Sequence, residues 1–345
     1  MSEPEVLLLL GVPDDMNGTL AAGQPFSLRG NTGLAAALVD ALRQKNWPLR
    51  MHLLRPGATP PPAGARLLLN AVCEPVIHRR SLALQGQLER RTGLPTLNPS
   101  WVIAHSGRAA IARRLSHQVG VQVPLCTVFR RDRETLPQHV ARLGHRYPVL
   151  LRPLGQHGSD GLQRIDDEKH AASATGLEAG HVTDWVDFKS KDGCYRKHRL
   201  FLAGDTLVRR HLLIDQQWNI TVEARSFMKD RPDLVEEEKR WLERPVDLAP
   251  GSVESRLLHQ FRALQLDFGS VDYSLLPGGE VLLFEINACI QVTGNASPEE
   301  AARWPHIKAI NGTILDAVCD LIRKRAASAR TRQPLRNAAT PPGEG

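Results

Sequence analysis

Aromatic residues are scarce in this chain, at 5% of 345 residues. Successive stacking platforms, of the kind that hold single-stranded nucleic acid, are therefore not expected, and nucleic acid is not an expected partner. Cysteine is sparse, odd in number and dispersed: Cys73, Cys126, Cys194, Cys289 and Cys319 include no C-x-x-C pair. That spacing argues against a disulfide framework and a zinc site, and points to a reduced, cytoplasmic setting. No apolar run reaches the roughly 18 residues that a membrane crossing needs. The opening MSEPEVLLLLGVPDD also lacks the basic segment of a secretory leader. A phosphate loop of the G-x-x-x-x-G-K-[ST] type is missing, and no internal repeat is visible.

What is present is ample apolar material, 42% of the chain, enough for two or three packed units. The net charge of +7 is unevenly distributed. Residues 323–345 hold six basic residues and one acid, which leaves the rest of the chain close to neutral. The Ala, Thr and Pro content of ASARTRQPLRNAATPPGEG (327–345) predicts a disordered basic tail.

The first hundred residues alternate between buried runs and helical patterns. VLLLLG (6–11), LRMHLL (49–54), RLLLNAV (66–72) and LPTLN (94–98) read as strands. NTGLAAALVDALRQKN (31–46), with Asn31 or Thr32 as its cap, and SLALQGQLERRTG (81–93) read as helices. This βαβ order predicts a small parallel sheet covered by helices. From about residue 104 the runs CTVFR, PVLLRP and VTDWV predict one sheet. RLFLAG, TLVRRHLLI, FGSVDYSL and EVLLFEIN predict a second. The run Glu236, Glu237, Glu238 reads as a solvated helix face.

The most informative segment is VDYSLLPGGEVLLFEINACIQVTG (271–294). Asp272 ends one apolar run, a Pro-Gly-Gly turn follows, and the next run delivers Glu285 and Asn287, two residues apart. Strand side chains alternate, so Glu285 and Asn287 share a face. A hairpin closed by that turn returns Asp272 beside them. Two carboxylates and an amide oxygen form an all-oxygen site suited to Mg²⁺ (or Mn²⁺) held jointly with phosphates. Upstream, YPVLLRPLGQHGSDGL (147–162) runs from a strand through Arg152 into a loop holding Gly155, His157, Gly158, Ser159 and Gly161. Glycine lets backbone N–H groups approach phosphate oxygens closely, and the Arg152 fork suits a phosphate.

In this order the two segments resemble the ATP-grasp superfamily, and in particular its ribosomal-protein glutamate ligases and glutathione synthetases. Arg108, in AHSGRAAIARRLSHQVGVQVP (104–124), matches the family's basic residue before a helix. VTDWVD (182–187) matches its hinge strand, and DGCYRKHRLFLAGDTLVRRH (192–211) its D-x-R strand pair, with Arg199 as the arginine. The resemblance spans residues 65–322. Where the family commonly has lysine, this chain has Arg108 and Arg152.

The resemblance implies an α/β protein of ATP-grasp fold, two α+β subdomains clamping ATP behind a small parallel-sheet domain. The expected divisions are 1–103 for that first domain, 104–186 for the lid, 187–326 for the subdomain with the metal site, and 327–345 for the tail. It also implies that Asp184, Trp185, Val186 and Asp187 meet the adenosine, with Asp187 on the ribose. Arg108, Arg152 and the glycine loop would hold phosphates, and Asp272, Glu285 and Asn287 the metal. Lys197 and Arg199, on one strand face, would act on the migrating phosphoryl group or a substrate carboxylate. The implied function is ATP-dependent ligation of a carboxylate to an amine through an acyl phosphate, with small-molecule or peptide substrates. A small-molecule kinase and a non-catalytic nucleotide-binding module are the alternatives, and a homodimer is compatible with all three.

Overall fold

The computed structural model describes residues 5–14, 30–45, 47, 49–57, 64–156, 159–174, 176–288 and 306–331. Strand β1 (Glu5–Gly11) lies inside a four-stranded sheet with β2 (Leu49–Leu54), β3 (Ala65–Asn70) and β4 (Thr96–Leu97), in the order β2-β1-β3-β4. All its pairings are parallel. A parallel strand covered on both faces needs apolar side chains at every position, which is why the leucine run suits β1. Val6, Leu8 and Leu10 pack with helix Leu34–Gln44 and the last helix, His306–Thr331. Leu7 and Leu9 pack on the opposite side, with Leu82 and Leu88 of helix Arg79–Thr92. Helix Leu34–Gln44 starts at Gly33. Asn31 does not cap it: its amide side chain donates to the Gly11 carbonyl and accepts from the Gly11 N–H, both at 2.8 Å.

A two-residue strand, β5 (Val121–Gln122), precedes the second sheet. That sheet, the lid, contains β6 (Cys126–Arg130), β7 (Val149–Pro153), β8 (Gln163–Ile165) and β9 (Ala179–Asp184), all antiparallel, in the order β6-β9-β7-β8. Val149, Leu151 and Val182 turn towards Leu136 and Val140 of helix Leu136–Leu143. By alternation, Leu150, Arg152, His181 and Thr183 turn the other way.

The third sheet is the floor. It comprises β10 (Tyr195–Ala203), β11 (Thr206–Asp215), β12 (Phe268–Leu275) and β13 (Val281–Asn287), with β5 at its edge, in the order β11-β10-β12-β13-β5. β5 runs parallel to β13, and the other pairs are antiparallel. Helices Pro232–Glu243 and Val253–Leu264 support it.

Several expectations are corrected. The lid gains β8 and the floor gains β5. The helix expected at 107–118 runs Arg108–Leu115. Glu238 is not solvated: it is fully buried, forks with Arg225, and accepts the Leu212 N–H at 3.2 Å. The last helix continues to Thr331, so the tail expected from residue 327 begins as helix. Its buried Ile314, Val318 and Ile322 tie it to the first sheet. Among the described residues no helix is long and apolar enough to cross a membrane.

Candidate active site

A cavity of about 440 Å³ separates the lid from the floor. Its floor is the β12–β13 hairpin. The turn closes with the Leu276 N–H on the Glu280 carbonyl at 2.9 Å and the Gly279 N–H on the Leu276 carbonyl at 2.8 Å. Gly279 sits at φ 81°, where a side chain would be strained. In the resulting register Asp272 faces Glu285 and Ser270 faces Asn287. Asp272, Glu285 and Asn287 all line the cavity, as the hairpin argument required.

Cations crowd these acids. Arg199 stands opposite Asp272 in the β10–β12 register and forks on its carboxylate. Arg108, the first residue of its helix, donates to Glu285 at 2.5 Å. The Asn287 amide donates to the other Glu285 oxygen. Lys197 lies two positions before Arg199 and donates to the Ile220 carbonyl; burial lowers its pKa. Arg152 enters from the lid. Burial, with Arg108 as a like charge, pushes it down to about 10. Like charges held this close in a partly dry cavity favour a polyanionic ligand.

Two histidines complete the cavity wall. His181 stands beside Arg152 across β7 and β9, and burial, then Arg108, lowers it to about 4. His211 stands opposite Arg199, and burial and the surrounding cations push it well below its ordinary value. His181 Nδ1 and His211 Nε2 are buried with no hydrogen-bond partner among the described residues. Neutral imidazoles with a free nitrogen can donate to or accept from a ligand that fills the cavity.

At the hinge, the Asp184 N–H bonds the Leu125 carbonyl at 2.9 Å and the Trp185 N–H bonds the Pro148 carbonyl at 3.1 Å. Asp184, Trp185 and Val186 line the cavity. Trp185 packs edge-on against Trp218 at 5.1 Å, under the Arg164 guanidinium at 4.7 Å. Asp187 is placed differently. It is exposed, accepts the Lys189 N–H at 3.1 Å, and is not among the lining residues. In the glycine loop, Ser159 lines the cavity and donates to Asn219 at 2.8 Å. Gly155 and Gly161 have φ 69° and 68°, and a Cβ there would strike Ile77 and Pro153. They shape the loop without lining the cavity. His157, Gly158 and Cys289 lie outside the described residues.

Sequence reasoning missed His181, His211 and Trp218. His181 had a signal, since alternation places it with Thr183 on the face that carries Arg152. His211 had none. A bulge after Arg199 pairs Leu200 with Arg209 and Arg199 with His211, leaving Arg210 as the extra residue. Arg209 is thereby sent to a buried pair with Glu254, and His211 to the cavity.

Two α+β units closing on one cavity, behind a parallel α/β unit, define the ATP-grasp fold, and this chain has it. Among solved structures it is similar to the VanG D-Ala:D-Ser ligase from Enterococcus faecalis. The identity is 14%, over 93% of this chain and 99% of that one, with a TM-score of 0.57. It is similar also to the D-alanine-D-alanine ligase from Coxiella burnetii, at 12% identity over 95% of this chain and 98% of that one, with a TM-score of 0.55. No family model matches the sequence, and no curated protein does.

Proposed function

We propose that this protein is an ATP-dependent ligase that joins a carboxylate to an amine through an acyl phosphate. The observation that carries this reading is the shared face of Asp272, Glu285 and Asn287 in one cavity with Lys197 and Arg199 of the same sheet and with Arg108 and Arg152. Two of the similar structures are, by name, a D-Ala:D-Ser ligase and a D-alanine-D-alanine ligase. The donor set fits Mg²⁺: it is oxygen-only and lies on adjacent strands. Among the described residues no group of three or more His, Cys, Asp and Glu is placed to hold a metal ion. Two carboxylates and an amide would leave coordination positions on the cation for nucleotide phosphate oxygens. When bound, the metal neutralises charge on the β- and γ-phosphates.

The remaining roles follow from position. Arg152 and Arg108 face the phosphates from the lid side and from the helix start. The hinge residues Asp184, Trp185 and Val186 meet the base. Arg199 and Lys197 stand where the substrate carboxylate arrives. A carboxylate oxygen attacks the γ-phosphorus, and the bond to the β–γ bridging oxygen breaks with release of ADP. The amine then attacks the acyl carbon, loses a proton, and phosphate departs with the original carboxylate oxygen. Arg199 and Lys197 stabilise the negative charge that develops on these oxygens.

The test incubates the protein with ATP, Mg²⁺, hydroxylamine and a pool of amino and dicarboxylic acids. ADP, free phosphate and a hydroxamate are expected. AMP with pyrophosphate would contradict the mechanism. ADP with a stable phosphorylated product and no free phosphate would establish a kinase instead.

A further inference from the structure

A chain of side chains crosses the lid from its outer surface to the hinge. Arg142 donates to Glu134, with Nε at 2.8 Å. Glu134 Oε1 lies 2.7 Å from His139 Nδ1, and His139 Nε2 lies 2.8 Å from the Thr127 hydroxyl. The same hydroxyl lies 2.7 Å from His145 Nε2, and His145 Nδ1 lies 2.6 Å from Asp184 Oδ1. The two imidazoles are buried and stacked, with centroids 6.1 Å apart. Thr127 comes from β6, His139 from helix Leu136–Leu143, His145 from just beyond the Gly144 that ends this helix, and Asp184 from the end of β9.

The donors and acceptors do not balance if both rings are neutral. An ionised carboxylate only accepts, so each ring gives its Nδ1–H to its own carboxylate. Two Nε2 lone pairs then face one hydroxyl that owns a single proton. Thr127 can donate to one of them, and its oxygen opposes the lone pair of the other at hydrogen-bond distance. One added proton resolves this: the doubly protonated ring donates Nε2–H to the hydroxyl oxygen, and the hydroxyl donates to the neutral ring. A buried polar contact left unmade is costly, so the count favours the extra proton.

We infer that His145 and Thr127 are positioning residues of the hinge: the chain from Glu134 to Asp184 stores one proton beyond two neutral imidazoles, and that proton fixes Asp184 as an acceptor facing the cavity. This rests on the reading of the cavity as the nucleotide site. Burial lowers His139, although Glu134 partly offsets that. Arg142 and then His139 hold Glu134 down at about 2, so it stays ionised on the outer end. Cys126, near Asp184 on the cavity side, is pushed up by burial and stays a neutral thiol. A fixed carboxylate at this end of the hinge selects a ligand that offers an N–H edge beside Trp185. Proton loss then loosens the acceptor, so ligand affinity falls as pH rises.

Nitrogen-15 NMR of the histidine side chains, on the full-length protein without nucleotide, counts the protons near neutral pH. One ring protonated at both nitrogens and the other at Nδ1 alone is expected. Two neutral rings would overturn the assignment. Thr127→Val removes the hydroxyl and Thr127→Ser keeps it. The valine variant should weaken binding of a non-hydrolysable ATP analogue by about tenfold, the scale of one charge-assisted hydrogen bond, and flatten its pH dependence. The serine variant should restore both. Unchanged affinity and pH profile in a folded Thr127→Val protein would overturn the positioning role. If that variant unfolds, His145→Gln, which keeps a donor for Asp184 but cannot carry the second proton, is measured in its place. Wild-type protein that binds no ATP analogue contradicts the nucleotide reading instead, and the ligand-free proton count then decides the proton assignment alone.

Discussion

In the first sheet, β1 sends Val6, Leu8 and Leu10 to one side and Leu7 and Leu9 to the other without interruption. In the floor sheet the alternation breaks twice, after Arg199 and after Asp272. Arg199 and His211 at the first break, and Asp272 and Glu285 at the second, face the cavity. The regular sheet has only to be buried, and any apolar side chain of the right volume serves at most of its positions. The floor must bury apolar groups below and gather charge above, and a bulge re-aims one side chain without disturbing the strand beneath it. The first sheet also has a register shift, between Glu5 and Val6 at the start of β1, but only the two floor breaks lie at the cavity.

Breaking the floor at its acids is expected to give the largest functional effect. Asp272→Ala and Glu285→Ala should each cut ATP turnover by roughly 10²–10³-fold, the range for losing one preorganised electrostatic group. Circular dichroism should stay unchanged, because both acids line the cavity and neither supports the apolar core. Full turnover in either variant, or in EDTA, would remove the metal assignment.

Buried charge on the supporting helix acts the other way, on stability alone. Glu238→Ala should cost about 3 kcal/mol, since it leaves Arg225 and the Leu212 N–H without their carboxylate. Thermal unfolding measures it. A change within experimental error would show that the pair contributes nothing net.

On the lid side, Arg152 is the cation that β7 presents to the cavity. Arg152→Ala should weaken ADP binding about tenfold to a hundredfold, whereas Arg152→Lys should keep much of it, because the loop needs positive charge more than a fork. Calorimetry checks both. Equal affinity in wild type and the alanine variant would exclude Arg152 from the phosphate site.

The smallest expected effect is on acid stability. Arg142 and His139 hold Glu134 near 2 in the folded chain, against an ordinary value of 4.5. A carboxylate with a depressed folded pKa stabilises above its unfolded value and loses that contribution as pH falls towards the folded one. Glu134→Gln should therefore flatten the loss of stability between those two values and leave the slope at neutral pH unchanged. Denaturant titrations over that range would show an unchanged slope if the pair is inert.

The legible parts of the molecule were those where a local period carries the information. The β1 leucines, the Pro-Gly-Gly turn and the E-x-N spacing fix burial and face within a few residues, so the first sheet and the floor acids were readable. His211 was not, because the bulge that aims it depends on pairing with a strand whose register no local pattern reveals. Glu238 was hidden for a different reason: three consecutive acids look solvated until Arg225 is brought under them. Asp184 and Asp187 both fit a hinge acid by spacing. Only the fold shows that β9 ends at Asp184 with His145 behind it, while Asp187 turns out to solvent.

On the proposed reading, the floor acids and the cations lining the cavity activate a carboxylate as an acyl phosphate. Oxygen-18 in the carboxylate of the acid substrate tests this most directly, with the released phosphate weighed by mass spectrometry. Phosphate carrying one heavy oxygen is predicted, because the attacking carboxylate oxygen leaves with the phosphoryl group. Unlabelled phosphate would mean hydrolysis of ATP by water, and label found in AMP would mean adenylation; either result excludes an acyl phosphate.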